Sequence, residues 1–361
     1  MSASQGSSTR GRLLVVDDSP TMRALIRRIA EASGHFEVAG EAANGFEAIR
    51  LLHELQPDVL TLDLEMPDLG GVETLGYIMN ELPRPVVVVS SHAERMAEPA
   101  LRALEHGAVE YVVKPQADVA DAEDTFRVRL LAALDAALHA RLRNLRLRLA
   151  VAGALQRARR LRHGDQPPAR CAIAIAASTG GPSALLDLIA AFPPTMSCAT
   201  FIVQHMPPTF TRRFAERLDG ECALKVRVPD DGELVRSATV YLAPGTHHLD
   251  LTRGPDGIHV RLTEGPPLWG LRPAADILFT AVARTFGPAS LGVVLTGMGR
   301  DGAHGMRALR SVGARTIAQD EDSAVIAGMP RAAAPYAQEV LPLPAIGGRI
   351  VTIADDIARA R

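Results

Sequence analysis

Leu13-Leu-Val-Val-Asp-Asp-Ser19, four apolar residues running into two carboxylates, decides the architecture of the N-terminal part of this 361-residue chain. An apolar run this short, followed by turn-forming polar residues and Pro20, reads as a buried strand that hands over to a helix. Comparable runs at residues 38–41, 59–62, 86–89 and 109–113 each precede an amphipathic stretch. Five such βα units predict a doubly wound, five-stranded parallel sheet. Four of the five strands end in polar residues: Asp17 and Asp18, Asp63, Ser90 and Lys114. Strands of an open parallel sheet share one carboxyl edge, where ligands bind, so these residues are expected together.

A second alternation starts at Cys171. Strands are expected at residues 172–176, 200–203, 239–243, 258–262, 291–295 and 316–318, with helices near residues 183–192, 210–218, 274–286 and 303–312. This predicts a second doubly wound, mostly parallel α/β domain. Between the two lies an Ala/Leu/Arg-rich segment, residues 125–163, read as a helix that closes the first domain and runs into a basic linker. The resulting division is residues 12–130, a helical linker over residues 131–168, and residues 169–361. The linker carries Arg141, Arg143, Arg146, Arg148, Arg157, Arg159 and Arg160, but interleaved leucines without aromatics suit a solvated helical face better than a nucleic-acid surface.

Composition narrows the function classes. Hydrophobic residues make up 47% and the net charge is -2, which gives packed cores without a basic field for nucleic acid. No stretch approaches the roughly 20 apolar residues that span a bilayer, and residues 1–12 lack an apolar signal core. A cytoplasmic protein without membrane insertion is expected. Cys171, Cys198 and Cys222 show no metal-ligand spacing and read as reduced, buried thiols.

Asp17, Asp18 and Asp63 on one sheet edge repel each other unless a cation lies among them, and an all-oxygen donor set suits Mg²⁺. Lys114 and the Ser90 hydroxyl supply what a carboxylate needs to accept a phosphoryl group, namely a countercharge and a hydrogen-bond donor. Asp63, alone at the end of the central strand, is the best acceptor. The motifs Val15-Val-Asp-Asp-Ser, Thr61-Leu-Asp-Leu-Glu-Met-Pro, Val88-Val-Ser-Ser and Tyr111-Val-Val-Lys-Pro, in this order, resemble the receiver domain of two-component response regulators. That resemblance implies Asp63 as phosphoacceptor, Asp17 and Asp18 with Asp63 as the Mg²⁺ cluster, and Ser90 and Lys114 as the switch pair. Leu69-Gly-Gly departs from the Asp-Gly of many receivers, a loop difference that leaves this chemistry in place.

The segment Ala172-Ile-Ala-Ile-Ala-Ala-Ser-Thr-Gly-Gly-Pro predicts a strand, a glycine turn and a helix, which puts Ser178 beside a helix N-terminus. Free N–H groups there favour developing negative charge. Neither a phosphate-loop motif nor a G-x-S-x-G elbow is present. The next strand delivers His205 at its carboxyl end, and Leu291-Gly-Val-Val-Leu-Thr-Gly-Met-Gly-Arg-Asp brings Asp301 to the same edge. Nucleophile, base and orienting acid are thereby supplied. His247 and His248 have no ligand spacing that supports a metal site. Trp269, on an expected loop, fits either substrate contact or packing.

Ala177-Ser-Thr-Gly-Gly, Gln204-His-Met-Pro-Pro, Phe210-Thr-Arg-Arg-Phe-Ala-Glu-Arg-Leu, Tyr241-Leu-Ala-Pro-Gly, Arg272-Pro, Leu295-Thr-Gly-Met-Gly-Arg-Asp-Gly, Ile317-Ala-Gln-Asp and Gly328-Met-Pro closely resemble the catalytic domain of the chemotaxis protein-glutamate methylesterase family. The resemblance implies a Ser178, His205 and Asp301 triad, an oxyanion contribution around Met298, and hydrolysis without a cofactor. It also implies glutamyl methyl esters on methyl-accepting chemotaxis receptors as substrates, glutamine deamidation in some relatives, a chemotaxis histidine kinase as partner, and an unphosphorylated receiver that obstructs Ser178. Arg300 stands where some relatives carry Asn, which changes the charge at the rim of the site.

Overall fold

The computed structural model describes residues 10–91, 97–116, 121–140 and 166–360. The chain divides into two compact units, one on either side of the Arg143/Asn144 junction.

The first unit alternates strictly: β1 (Gly11–Val16), α1 (Pro20–Ala32), β2 (Phe36–Ala42), α2 (Gly45–Leu55), β3 (Val59–Leu62), α3 (Gly71–Glu81), β4 (Val86–Ser90), α4 (Ala97–Glu105), β5 (Glu110–Val113) and α5 (Ala122–Leu138). All its strand pairs are parallel, in the order β2-β1-β3-β4-β5. Every residue of β3 and β4 is buried, as expected for inner strands covered on both faces. Local chemistry starts the helices. Ser19 Oγ accepts from Met22 N at the head of α1, with Pro20 in its first turn, and Asn44 Oδ1 accepts from Glu47 N (2.9 Å) at the head of α2. The strand order reverses between β1 and β3, so the topological switch point lies between the strands that end at Asp17 and Asp63.

Helix α5 stops at Leu138, where the N–H groups of His139 and Ala140 turn back to Ala136 O and Ala137 O in tightened i→i−3 bonds. The expected continuation to residue 163, with its arginines, lies outside the described residues from residue 141 to 165.

The second unit contains β6 (Ala172–Ala177), α6 (Gly181–Ala190), β7 (Ala199–Gln204), α7 (Pro208–Glu221), β8 (Lys225–Arg227), β9 (Thr239–Leu242), β10 (His248–Arg253), β11 (Ile258–Thr263) and α8 (Ala275–Phe286). It continues with β12 (Ser290–Val294), α9 (Ala303–Ser311), β13 (Arg315–Gln319), α10 (Gly328–Ala333), β14 (Glu339–Leu341) and α11 (Leu343–Arg359). Seven strands form one parallel sheet ordered β14-β13-β12-β6-β7-β9-β8. The chain winds outward from β6 through β7 in one direction and from β12 in the other, which puts its switch point between β6 and β12. Strand β6 is buried throughout, and Phe201 stacks on Tyr241 at 5.4 Å in the core beside it.

One expected strand is found outside the main sheet, and one expectation is corrected. Residues 258–262 do not join the main sheet. They belong to β11, which pairs antiparallel with β10 in a separate hairpin whose faces alternate buried leucines with polar residues. The cysteines are not three thiols either: Cys171 and Cys198 form a disulfide, and Cys222 is a buried thiol that donates to Leu224 O (3.3 Å). The register explains the pairing. Ala172 lies opposite Ala199, so the residues just before β6 and β7 come side by side, with Cα atoms 4.7 Å apart.

Candidate active site

Strand ends gather the polar residues of the first unit. Lys114 Nζ sits 2.6 Å from Asp63 Oδ2 and 2.8 Å from Asp17 Oδ2. Asp17 and Asp63 are buried, whereas Asp18 is exposed. Burial pushes the Asp17 carboxyl up, with help from the like charge of Asp63, and the Lys114 hydrogen bond offsets only part of this. For Lys114, burial pulls downward, but the bonds to Asp17 and Asp63 prevail and raise its pKa. Carboxylate oxygens of Asp17, Asp18 and Asp63 lie within 4.8 Å of one another. Three carboxylates against one ammonium leave surplus negative charge, and the donor set is all oxygen, so the residues fit Mg²⁺. Ser90 Oγ is buried with no hydrogen-bond partner among the described residues, an unfavourable state unless a further group completes it. Tyr111 opens one of the quoted motifs, but no role was assigned to it from the sequence. Its hydroxyl donates to Ser91 O (2.9 Å), and burial, with Asp63 and Glu65 nearby, pushes its pKa up.

In the second unit the parallel register does the positioning. Ala177 pairs with Gln204, so the residues that follow, Ser178 and His205, emerge next to each other at the sheet edge. On the other side Ser178 N donates to Thr296 O (3.0 Å), just past the end of β12. Gly180 lies in the left-handed region (φ 75°), and a Cβ at Gly181 would come within 2.0 Å of Gln204 Oε1, so both glycines of the turn are required. The Gln204 amide nitrogen donates to the carbonyls of Ser178 and His205, 3.0 Å each, and thereby ties the two segments together. The Ser178 hydroxyl is partly exposed and has no hydrogen bond within the described residues.

Asp301 is 1% exposed and takes four hydrogen bonds. Its Oδ2 accepts from His205 Nε2 (2.9 Å) and Ala275 N (2.6 Å), and its Oδ1 accepts from Asp276 N and Gly302 N (3.0 Å each). Ala275 and Asp276 open α8, so the carboxylate also sits at a helix N-terminus. Burial works to raise the Asp301 pKa, yet the His205 hydrogen bond and charge and the two α8 N–H groups outweigh it, and the group is held below the ordinary carboxylate range. An ionised carboxylate only accepts, so Nε2 carries a proton, and in the neutral form of the ring the lone pair is on Nδ1.

Met298 is exposed, and its N–H makes no hydrogen bond among the described residues. His247 and His248 do not join the histidine at the site. His248 is buried, accepts from Ala274 N through Nδ1 and bonds Pro266 O through Nε2, while His247 pairs with Glu264. Gln204, Thr296 and Asp276 were not singled out in the sequence, because each acts through backbone contacts with residues distant in the chain. The advance signs were the position of Gln204 at a strand end and the presence of Gln204 and Thr296 in the quoted motifs.

A receiver-type sheet with an acidic cluster, followed by a parallel sheet that brings serine, histidine and aspartate to strand ends at its switch point, defines a response regulator with a hydrolase domain. Comparison with known proteins agrees. A response regulator receiver domain model matches residues 13–122 and a CheB methylesterase model matches residues 173–350. The protein-glutamate methylesterase/protein-glutamine glutaminase of Pyrococcus abyssi is 41% identical over 323 residues, covering 89% of this chain and 87% of that one. A protein of the same name, numbered 1, from Caulobacter vibrioides is 44% identical, covering 89% and 91%. The crystal structure of the Thermotoga maritima CheB methylesterase catalytic domain superimposes with a TM-score of 0.50 at 34% identity, covering 51% of this chain and 98% of that one. The chain belongs to the CheB methylesterase family.

Proposed function

We propose that this protein is a phosphorylation-regulated protein-glutamate methylesterase acting on methyl-accepting chemotaxis receptors. In this reading residues 12–130 form the receiver and residues 169–361 the catalytic domain, joined by residues 131–168. The observation that carries it is the His205–Asp301 bond at the edge where Ser178 emerges.

The chemistry follows from the proton positions. Asp301 holds Nε2–H, so His205 Nδ1 takes the proton from Ser178 Oγ as the oxygen attacks the ester carbonyl. The oxyanion gathers beside the Met298 N–H. His205 returns the proton to the departing methoxide, methanol leaves, and the same base activates a water that hydrolyses the acyl-serine and frees the glutamate. A glutamine side chain passes through the same steps with ammonia as leaving group, and the relatives carry glutaminase in their names. These steps use only groups of the chain itself and water.

In the receiver, Asp63 accepts the phosphoryl group from a chemotaxis histidine kinase. Mg²⁺, when held by Asp17, Asp18 and Asp63, supplies charge neutralisation for this transfer. Lys114 pairs with the phosphoryl oxygens and Ser90 donates its unpartnered hydroxyl to them. Among the described residues no helix is long and apolar enough to cross a membrane. The test is methanol release from methylated receptor fragments with a small phosphodonor and Mg²⁺. Ser178→Ala is expected to lower turnover by on the order of 10³-fold or more with the fold intact. Near-normal release from that variant excludes Ser178 as the nucleophile.

A further inference from the structure

Leu268 and Leu271 close a two-residue turn through paired backbone hydrogen bonds, Leu268 N to Leu271 O (3.1 Å) and Leu271 N to Leu268 O (2.9 Å). Both residues inside it are left-handed, Trp269 at φ 57° and Gly270 at φ 76°. Turns of this kind favour Asn-Gly or Gly-Gly, and a bulky aromatic in the first place is an outlier whose strain the surroundings must hold. Two contacts hold it. Trp269 Nε1 donates to Asp276 Oδ2 (3.0 Å), and the His304 ring meets the indole edge-on at 5.6 Å. The same Asp276 donates its N–H to Asp301, so the indole is anchored to the scaffold that orients His205. Despite this anchoring Trp269 remains 47% exposed.

Arg300, the residue before Asp301, lays its guanidinium over that ring with Cζ 5.6 Å from the centroid. It is exposed and has no carboxylate partner among the described residues. An open cleft beside it is lined by Gly299, Arg300, His304 and Arg331, and of its two arginines Arg331 is already paired with Glu321. A guanidinium ordered by a ring loses less freedom on binding than a free one, and its planar fork matches a carboxylate.

We propose that Arg300, stacked on Trp269 and flanked by His304, is a specificity-determining residue that binds a carboxylate side chain of the substrate protein next to the ester being cleaved. This rests on the methylesterase reading and names a preference within it: esters with a free Glu or Asp nearby are the better substrates. The product of each turnover is itself a glutamate carboxylate, so removing one methyl group converts its neighbourhood into a better substrate for the next.

The test uses full-length protein with phosphodonor and a set of helical peptides. Each carries one glutamate methyl ester and Glu, Gln or Lys three or four residues to either side, the spacings that share a helix face. kcat/KM is read from methanol release. At low salt at least one position is expected to favour Glu by roughly threefold to fivefold, the range of a partly exposed ion pair, with the ratio falling toward one at about 1 M salt. Arg300→Gln should bring the ratio to about one, and Arg300→Glu should invert it in favour of a Lys peptide. A wild-type ratio of one at every position overturns the proposal, as does a Glu preference that survives Arg300→Gln. If every peptide is inert while the phosphorylated receiver forms normally, the methylesterase reading itself fails and this proposal with it.

Discussion

Asp301→Asn tests the catalytic geometry most severely, because all four groups bonded to the carboxylate are donors: His205 Nε2, Ala275 N, Asp276 N and Gly302 N. An amide has only one acceptor atom. If its oxygen keeps Asp276 and Gly302, its NH₂ faces Ala275 N–H and forces His205 to place its own proton on Nδ1, the atom needed as base. If the oxygen keeps Ala275 and His205, two backbone N–H groups face the NH₂. Each buried donor left without an acceptor costs about 1–3 kcal/mol, so the variant should lose roughly 2–4 kcal/mol and its thermal midpoint should fall by about 5 °C or more. The chain's single tryptophan, Trp269, lies in this unit, so its fluorescence follows the relevant unfolding in the full-length protein. Both arrangements also remove the charge that supports the imidazolium, so kcat should drop by on the order of 10³-fold or more. The pH dependence has a definite sign. The Asp301 pKa is lowered by folding, so its stabilisation is present above the ordinary carboxylate value and is lost as pH falls through the lower folded value. The Asn variant should lack that part of the acid-side slope. A variant within tenfold of normal turnover and with an unshifted midpoint would refute the role assigned to Asp301.

Gln204→Leu removes the donor shared by the Ser178 and His205 carbonyls and should lower kcat by roughly 10- to 100-fold while moving KM little, since the loss is one of alignment; a pure KM effect would contradict it. Asp63→Asn should abolish acid-labile phosphorylation and the phosphodonor-dependent gain in methanol release, and undiminished labelling of that variant would place the acceptor elsewhere.

The sequence carries the receiver almost completely because each strand is a compact apolar run that ends in a residue with chemistry. The catalytic unit is less legible, for reasons visible in particular residues. Strands β8 and β14 are three residues long and leave no period to detect. The hairpin strand Ile258–Thr263 looks like any sheet strand locally, and only its partner His248–Arg253 reveals that it lies outside the main sheet. Cys171 and Cys198 are 27 residues apart, and their pairing follows from strand register, which a linear reading does not supply. Gln204, Asp276 and Thr296 hold the site through residues 25 to 117 positions away, so their roles are not legible locally even where, as for Gln204 and Thr296, they lie inside a recognisable motif.

Ser178, His205 and Asp301 were visible because each ends or follows an apolar run, but their chain order says nothing about which imidazole nitrogen does the work. In the familiar serine-protease arrangement the acid holds Nδ1 and Nε2 is the base. Here Asp301 meets Nε2, and the reason lies in the scaffold. Asp301 is fixed at the N-terminus of α8 by Ala275 and Asp276, and His205 is fixed through its backbone, its N–H bonded to Ala177 O and its carbonyl to Gln204. With both ends set, the longer reach to Nε2 spans the gap to Asp301, and under the proposed mechanism Nδ1 is the nitrogen that remains to serve Ser178 as base. In the proposed mechanism the three roles are the same but the ring is used in the opposite sense, because nucleophile and base are drawn from adjacent parallel strands.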